Sequence, residues 1–114
     1  MTPLDLASLR VHPLAERRSL LNVEDILISP DSPAPQLDGP SSLAVTAAAE
    51  RIREARGRGA SVILMYGAHL LRNGAALIVT ELMERGWITH LATNGAGSIH
   101  DWEFAWLGRS CESV

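Results

Sequence analysis

Two short apolar runs constrain the fold of this chain more than any other feature of its sequence. They span Ser61–Tyr66 (SVILMY) and Trp87–Thr93 (WITHLAT), and the first is too continuous for a strand with one face in water. Both suit strands of a parallel sheet that is covered on both faces. Helical patterns precede, separate and follow the runs, and this alternation predicts a βαβ unit. We therefore expect an α/β fold with a partial, doubly wound parallel sheet and flanking helices.

The predicted helices have recognisable ends. The first follows Ser42, a good N-cap residue, and ends at the glycines of Gly57–Gly59. The second covers Leu70–Arg85 and stops at Gly86, and the third covers Ser98–Leu107. Together with the two apolar runs, they give the order helix, strand, helix, strand, helix.

The chain divides at a proline-rich stretch. Four of the six prolines fall within Ser29–Ser42, and such a segment favours extended, solvated backbone. We therefore predict an N-terminal arm and linker over residues 1–41 and an α/β core over residues 42–114. Ile26–Ile28 suits a short strand or a packed tail. The last seven residues (GRSCESV) have no recognisable C-terminal element, so the core is expected to be truncated there.

Composition excludes several function classes. The chain has 114 residues, 46% of them apolar, and a formal net charge of −3, which suits one globular domain without a basic stripe for nucleic acid. No apolar run approaches the roughly 18 residues of a membrane helix. Cys111 is the only cysteine, which excludes an internal disulfide and favours a reducing, cytoplasmic compartment. We expect no nucleic-acid partner and no membrane partner.

The loops after the two strands form the predicted ligand site, because ligands of open parallel sheets bind at the carboxyl ends of the strands. The first loop holds Gly67, Ala68 and His69, and the second continues from Thr93 through Asn94–Ser98. Gly95 and Gly97 permit positive φ angles and close approach of a ligand, so the second loop suits an anion-binding nest. The full G-x-G-x-x-G pattern is missing, because position 100 is a histidine.

His100 and Asp101 are the candidates for acid/base chemistry. His100 is predicted in the first turn of the last helix, beside the crevice, although a packing histidine is the alternative. Ser98 and Asp101 also fit a capping box, which would make Asp101 structural. The charges of Asp101 and Glu103 favour a cationic or hydroxyl-rich ligand over a bare phosphate. No histidine pair has metal-site helix spacing, and we expect no metal.

Three tryptophans suit packing or an interface. Trp102 and Trp106 are four residues apart on the last helix and predict an apolar ridge, with Phe104 nearby. Left uncovered, such a ridge favours self-association. A homo-oligomer is therefore expected.

The stretch from Val62 to Gly108 resembles the deoxyhypusine synthase family. An apolar strand, a loop and a helix with Gly74 in its first turns are followed by a second strand and the run Asn-Gly-Ala-Gly-Ser-Ile-His-Asp, at Asn94–Asp101. The resemblance implies an NAD-binding Rossmann-like fold, a tetramer, and transfer of an aminobutyl group from spermidine. It places the acidic polyamine-side positions at Ile99 and His100, with Asp101 next. It implies cofactor contacts at Gly67, Ala68, His69, Asn73, Thr93, Asn94, Gly95 and Ala96.

The sequence departs from the family pattern at three points. Ala68–His69 replaces a Ser-Asn pair, and Ile99–His100 replaces adjacent glutamates. All ten basic side chains are arginine, so the family's lysine-dependent imine chemistry cannot run on this polypeptide alone. The sequence thus predicts the NAD-binding part of a deoxyhypusine synthase-like enzyme, not competent alone. The alternatives are a non-catalytic, truncated assembly module, or another small-molecule enzyme that uses His100 and Asp101.

Overall fold

The structure of the chain is a computed structural model, which describes residues 5–113. These residues form a mixed α/β fold with two small sheets. None of the described helices is both long enough and apolar enough to cross a membrane. Two short 3-10 turns, Leu6–Ser8 and Leu14–Glu16, precede these elements: β1 (Ser19–Asn22), α1 (Val23–Ile26), α2 (Gly39–Gly57), β2 (Ile63–Tyr66), α3 (Ala68–Arg72), α4 (Ala76–Glu84), β3 (His90–Thr93), α5 (Gly95–Leu107) and β4 (Arg109–Glu112).

The predicted parallel pair is present, in shorter form than the two apolar runs. β2 and β3 pair in parallel, with Ile63 opposite His90 and Tyr66 opposite Thr93. Thr89 closes the start of the pair, since its hydroxyl accepts a hydrogen bond from the Val62 amide (2.9 Å) and donates one to the Val62 carbonyl (3.0 Å). The mixed α/β class is confirmed. The described residues form a two-stranded parallel sheet, and its Rossmann-like extension stays a prediction.

A second sheet lies outside the two predicted strands. β1 pairs antiparallel with β4, with Leu21 opposite Ser110. The expectation of no C-terminal element is therefore wrong, because Arg109–Glu112 is a strand. The strand alternative at Ile26–Ile28 is also wrong, since Ile26 ends the short helix α1, whereas the packed-tail alternative agrees with the hydrogen bond from the Ile28 amide to the Gly74 carbonyl. The N-terminal segment and the last residues thus form one ribbon beside α5.

Two helix boundaries differ from the predictions. α2 begins at Gly39 rather than after Ser42, because the Asp38 carboxylate accepts a hydrogen bond from the Ser41 amide (2.8 Å) and Pro40 occupies the first turn. Helix N-capping by Ser42 is therefore wrong. The long helix predicted over 70–85 is two helices, α3 and α4, separated at Gly74.

Gly74 separates α3 from α4 because the backbone of the N-terminal segment lies against it. Its φ is +84°, and a Cβ there would overlap the Ile26 carbonyl oxygen and lie 2.7 Å from the carbonyl carbon. The Ile28 amide donates a hydrogen bond to the Gly74 carbonyl (3.0 Å). Only glycine satisfies both the left-handed conformation and this close approach.

The core is small. Among the described residues, the buried apolar side chains are Leu71 on α3, Val79 on α4 and Ile88 just before β3. Leu64 of β2 and Leu82 of α4 line the same groove as Val79, so α4 lies across this groove from the parallel pair. The helical crossover from β2 to β3 thus lies on one side of the sheet.

Candidate functional site

The two predicted ligand loops lie side by side. Tyr66 and Thr93 are register partners at the ends of β2 and β3, and the Thr93 hydroxyl donates a hydrogen bond to the Tyr66 carbonyl (2.9 Å). A Cβ at Gly67 would lie 3.7 Å from the Asn94 side-chain nitrogen. The residues that follow each strand therefore form one continuous shelf at the carboxyl edge of the pair.

α5 begins on this shelf, at Asn94. The Asn94 Oδ1 accepts a hydrogen bond from the Gly97 amide (3.0 Å), and the helix extends from Gly95 to Leu107. The predicted N-cap at Ser98 is therefore wrong, and so is the capping box with Asp101. Ser98 is already helical, and its hydroxyl donates to the Gly95 carbonyl (3.0 Å).

Gly95 and Gly97 serve the helix rather than a left-handed loop. The glycines with positive φ lie elsewhere in the described residues, at 59, 74, 86 and 108. The expected positive-φ nest is therefore absent from residues 94–98. Gly97 is buried against β3, since a Cβ there would overlap the Thr93 Oγ1 and lie 3.2 Å from the Thr93 Cβ. A Cβ added at Gly95 would meet no atom within 4 Å.

The electrostatics of this helix start favour an anion. The first turn of α5 contains no acidic residue. Asp101 lies in the second turn and is exposed, and Glu103 pairs with Arg17. The expectation that these two carboxylates oppose a phosphate at the helix start is therefore wrong. The N-terminus of a helix carries about half a positive charge, and Gly95 and Ala96 expose it at the shelf.

Of the residues predicted in the first loop, some lie at the shelf and one lies away from it. Ala68 is half-buried at the start of α3, and His69 is exposed beside it. Asn73 is the C-cap of α3, and its amide donates a hydrogen bond to the His69 carbonyl (3.0 Å). A five-residue helix rises about 7.5 Å. The structure therefore brings Ala68 and His69 to the shelf and places Asn73 at the far end of α3.

His100 faces the terminal ribbon instead of the shelf. Its Nδ1 lies 2.6 Å from the Ser110 Oγ, and Ser110 is fully buried in β4. The Ser110 hydroxyl donates to Glu103 Oε2, and the other Glu103 oxygen accepts from the Arg17 guanidinium. We call these four residues the Glu103 cluster. His100 lies in the second turn of α5, so its predicted first-turn position is wrong.

The Glu103 cluster holds an ionised carboxylate. The hydrogen bond from Arg17 lowers the pKa of Glu103, and the Ser110 hydroxyl lowers it further, while partial burial acts in the opposite direction. The same contact raises the pKa of Arg17. His100 is thus held by a structural network, whereas Asp101 points to solvent. The structure does not bring these two side chains together as an acid/base pair.

Sequence reasoning missed most of this cluster. Glu103 lies three residues after His100 and therefore on the same helix face, which is a readable signal. Arg17 is 86 residues away from Glu103, and Ser110 belongs to a strand without strand propensity. No local pattern connects these positions.

The tryptophan ridge is present and exposed. The rings of Trp102 and Trp106 stack with centroids 5.6 Å apart and planes 15° apart. Phe104, between them in sequence, is half-buried on another face of α5. The ridge therefore presents aromatic surface to solvent, as its spacing predicted.

Several grooves lie away from the shelf. One of about 610 Å³ lies between α2, β2 and α4 and is mostly apolar, with Arg53 and Arg85 on its wall. Another of about 390 Å³ follows the proline-rich segment along α4. Across residues 5–113, no three histidine, cysteine, aspartate or glutamate side chains gather as a metal site would require.

Three comparisons with known proteins found no match. No family model, no curated protein and no solved structure matches the chain.

Proposed function

We propose that this chain is the NAD-binding part of a deoxyhypusine synthase-like protein, with the nucleotide lying on the shelf formed by Gly67–His69 and Thr93–Ala96. One observation carries the proposal. β2 and β3 run parallel and in register, and at one edge a helix begins one residue after each strand ends, past half-buried Gly67 and exposed Asn94. That edge is where dinucleotides bind in folds of this class.

The residues of the shelf suit a dinucleotide in charge and in their small side chains. The amides of Gly95 and Ala96 begin α5 and suit the pyrophosphate, because neither a carboxylate nor a bulky side chain lies in that first turn. Gly67 leaves room at the neighbouring strand end. Asn94 positions the site by capping α5 rather than by contacting the ligand through its oxygen. Bound NAD would supply a hydride acceptor.

Asp101 is the residue of this chain best suited to a polyamine. Its carboxylate is exposed and lies on α5, one to two turns beyond the shelf. A cationic amine is attracted to such a carboxylate. His100 is less suited, because its Nδ1 is engaged by Ser110. With no lysine among these 114 residues, an imine with the substrate would need an amine from outside them.

Calorimetric titration of the full chain with NAD tests the proposal. Asn94→Ser and Asn94→Asp both retain a good N-cap for α5, so both variants are expected to fold. Aspartate adds a negative charge beside the pyrophosphate, which costs about 1 kcal/mol at a partly solvated site and weakens binding about fivefold. Serine adds no charge, and Asn94→Ser should bind as the wild type does.

Two outcomes of the titration would contradict the proposed nucleotide site. Wild-type protein that is folded by circular dichroism but gives no binding heat with NAD would refute the nucleotide site. Equal affinities for Asn94→Ser and Asn94→Asp would place the nucleotide away from the start of α5. Spermidine is titrated separately against wild type and Asp101→Asn, which tests the polyamine part independently of NAD.

A non-catalytic assembly role is the second candidate. The observation in its favour is the small core, because most apolar side chains of the described residues stay at least partly exposed. Large exposed apolar surfaces mark sites of protein association. This candidate predicts a homo-oligomer, and a stable compact monomer in light scattering would contradict it.

A further inference from the structure

The N-terminal half of α2 extends beyond the body of the molecule. Toward its C-terminal end, Ile52 is half-buried and the Arg56 guanidinium donates a hydrogen bond to the Gly86 carbonyl (2.6 Å). Residues 41–48 are all exposed. Val45 lies on the same helix face as Ala49 and Ile52, since they follow at four and seven residues, yet Val45 is 57% exposed. The face of α2 that packs on the body therefore continues without a neighbour.

β2 has an apolar face that is open to solvent. Its side chains alternate between half-buried Leu64 and Tyr66 on one face and Ile63 and Met65 on the other. Ile63 is 58% exposed and Met65 is 79% exposed. Strands of parallel sheets are ordinarily covered on both faces. Leu64 and Ile63 both line the groove beside α4, whereas Met65 lies outside that groove and is open to solvent.

We propose that a second copy of this chain covers both surfaces, with the exposed half of α2 (residues 41–48) packed on Ile63 and Met65 of the partner. Each chain carries both the open strand face and the projecting helix, so one two-fold axis satisfies both contacts at once. The helix segment is uncharged, and its exposed residues are small near Val45. Small side chains let a helix approach a sheet closely.

The exposed area supports a second copy as the occupant. The chain exposes 9020 Å², whereas a compact protein of this mass exposes about 6,100 Å². Its radius of gyration is 18.7 Å, against about 13 Å for a compact domain of this length. The proline-rich segment contributes part of the excess. Obligate homodimers bury about 2,000–5,000 Å² in total, which two such chains can supply.

Light scattering after size-exclusion chromatography tests the proposal on the full chain. Wild type is expected as a dimer, at twice the chain mass of 12.3 kDa. Val45→Glu and Met65→Glu each place a charge in the apolar interface, and each should raise the dimer dissociation constant about 100-fold or more. Val11→Glu is the matched control, because Val11 is 91% exposed and lies outside both surfaces. It should leave the dimer unchanged.

Cysteine crosslinking keeps the proposal testable if a glutamate variant fails to fold. In a Cys111→Ser background, Val45→Cys and Met65→Cys proteins are mixed and oxidised, and mixed disulfides are quantified by mass spectrometry. The 45–65 pair should exceed the 11–65 pair about tenfold. Equal yields would overturn the proposal.

This inference rests on the assembly candidate and not on the nucleotide site, and its failures are distinguishable. A monomer at every concentration overturns both the interface and the assembly candidate. An oligomer that persists in both glutamate variants overturns this interface alone. A polydisperse series of larger species also overturns it, because a two-fold contact closes at the dimer.

Discussion

Gly97 holds α5 against β3, and adding a single methyl group there should loosen the proposed nucleotide shelf. A Cβ at this position overlaps the Thr93 hydroxyl oxygen, which itself donates to the Tyr66 carbonyl. Gly95, two residues earlier in the same helix turn, has open space around it. Gly97→Ala and Gly95→Ala are therefore a matched pair that differs in the contact made by the new methyl group.

The two substitutions should change the free energy of unfolding in opposite directions. Replacing a helical glycine by alanine stabilises a protein by about 0.5–1 kcal/mol, and Gly95→Ala should gain this amount. Gly97→Ala gains the same propensity but displaces Thr93. The lost hydrogen bond costs about 1 kcal/mol, and overpacking adds about 1–3 kcal/mol. The free energy of unfolding of Gly97→Ala should therefore lie about 2–4 kcal/mol below that of Gly95→Ala.

Urea denaturation followed by tryptophan fluorescence measures both variants. A Thr93→Ala/Gly97→Ala double variant adds a sharper test, because removing the overlapping hydroxyl should make it more stable than Gly97→Ala alone. Equal stabilities of Gly95→Ala and Gly97→Ala would refute the tight helix–strand contact, and with it the position of the α5 N-terminus at the strand end.

Three further predictions follow from other parts of the fold. Gly74→Ala should lower the free energy of unfolding about 2–4 kcal/mol more than Gly86→Ala does in denaturant titrations. Both glycines have positive φ, but only Gly74 abuts a backbone carbonyl. Equal losses of stability in the two variants would contradict this contact. The hydrogen bond from Arg17 lowers the pKa of Glu103, so its stabilising contribution is present above the ordinary carboxyl pKa of about 4.3 and is lost as pH falls through the lower folded value. Glu103→Gln should flatten that acid limb of the stability profile, and an unchanged limb would exclude the cluster as its cause. Trp106→Ala should abolish the exciton signal of the stacked indoles in circular dichroism while changing stability by less than about 1 kcal/mol, since the ring is exposed; a signal that persists would show that the pair does not stack.

Local sequence signals account for the elements that were predicted correctly. β2 and β3 lie in apolar runs, and the glycines after them mark the loops. The start of α5 was predicted wrongly because Asn94 and Ser98 are both competent caps. Tight packing of Gly97 on Thr93 favours the earlier cap, and such packing cannot be read from spacing.

The remaining errors concern contacts between distant parts of the chain. Arg109–Glu112 has a polar, charged sequence and becomes a strand only by pairing with β1. The same pairing brings Arg17 to Glu103 and turns His100 toward Ser110. The residue type of His100 predicts acid/base chemistry, but contacts with distant parts of the chain give it a structural role.

The ribbon of β1 and β4 also sets an order of events for a chain made from its N-terminus. Leu21 finds its partner Ser110 only after roughly 90 further residues have been added, and closing a loop of that length costs about 4 kcal/mol of chain entropy. The β2–α4–β3 unit closes a shorter loop, with Ile63 paired to His90, at a cost of about 3 kcal/mol, and can form first. The ribbon is thus the last part to assemble and the first to open, so its amides should exchange hydrogen fastest among the strands.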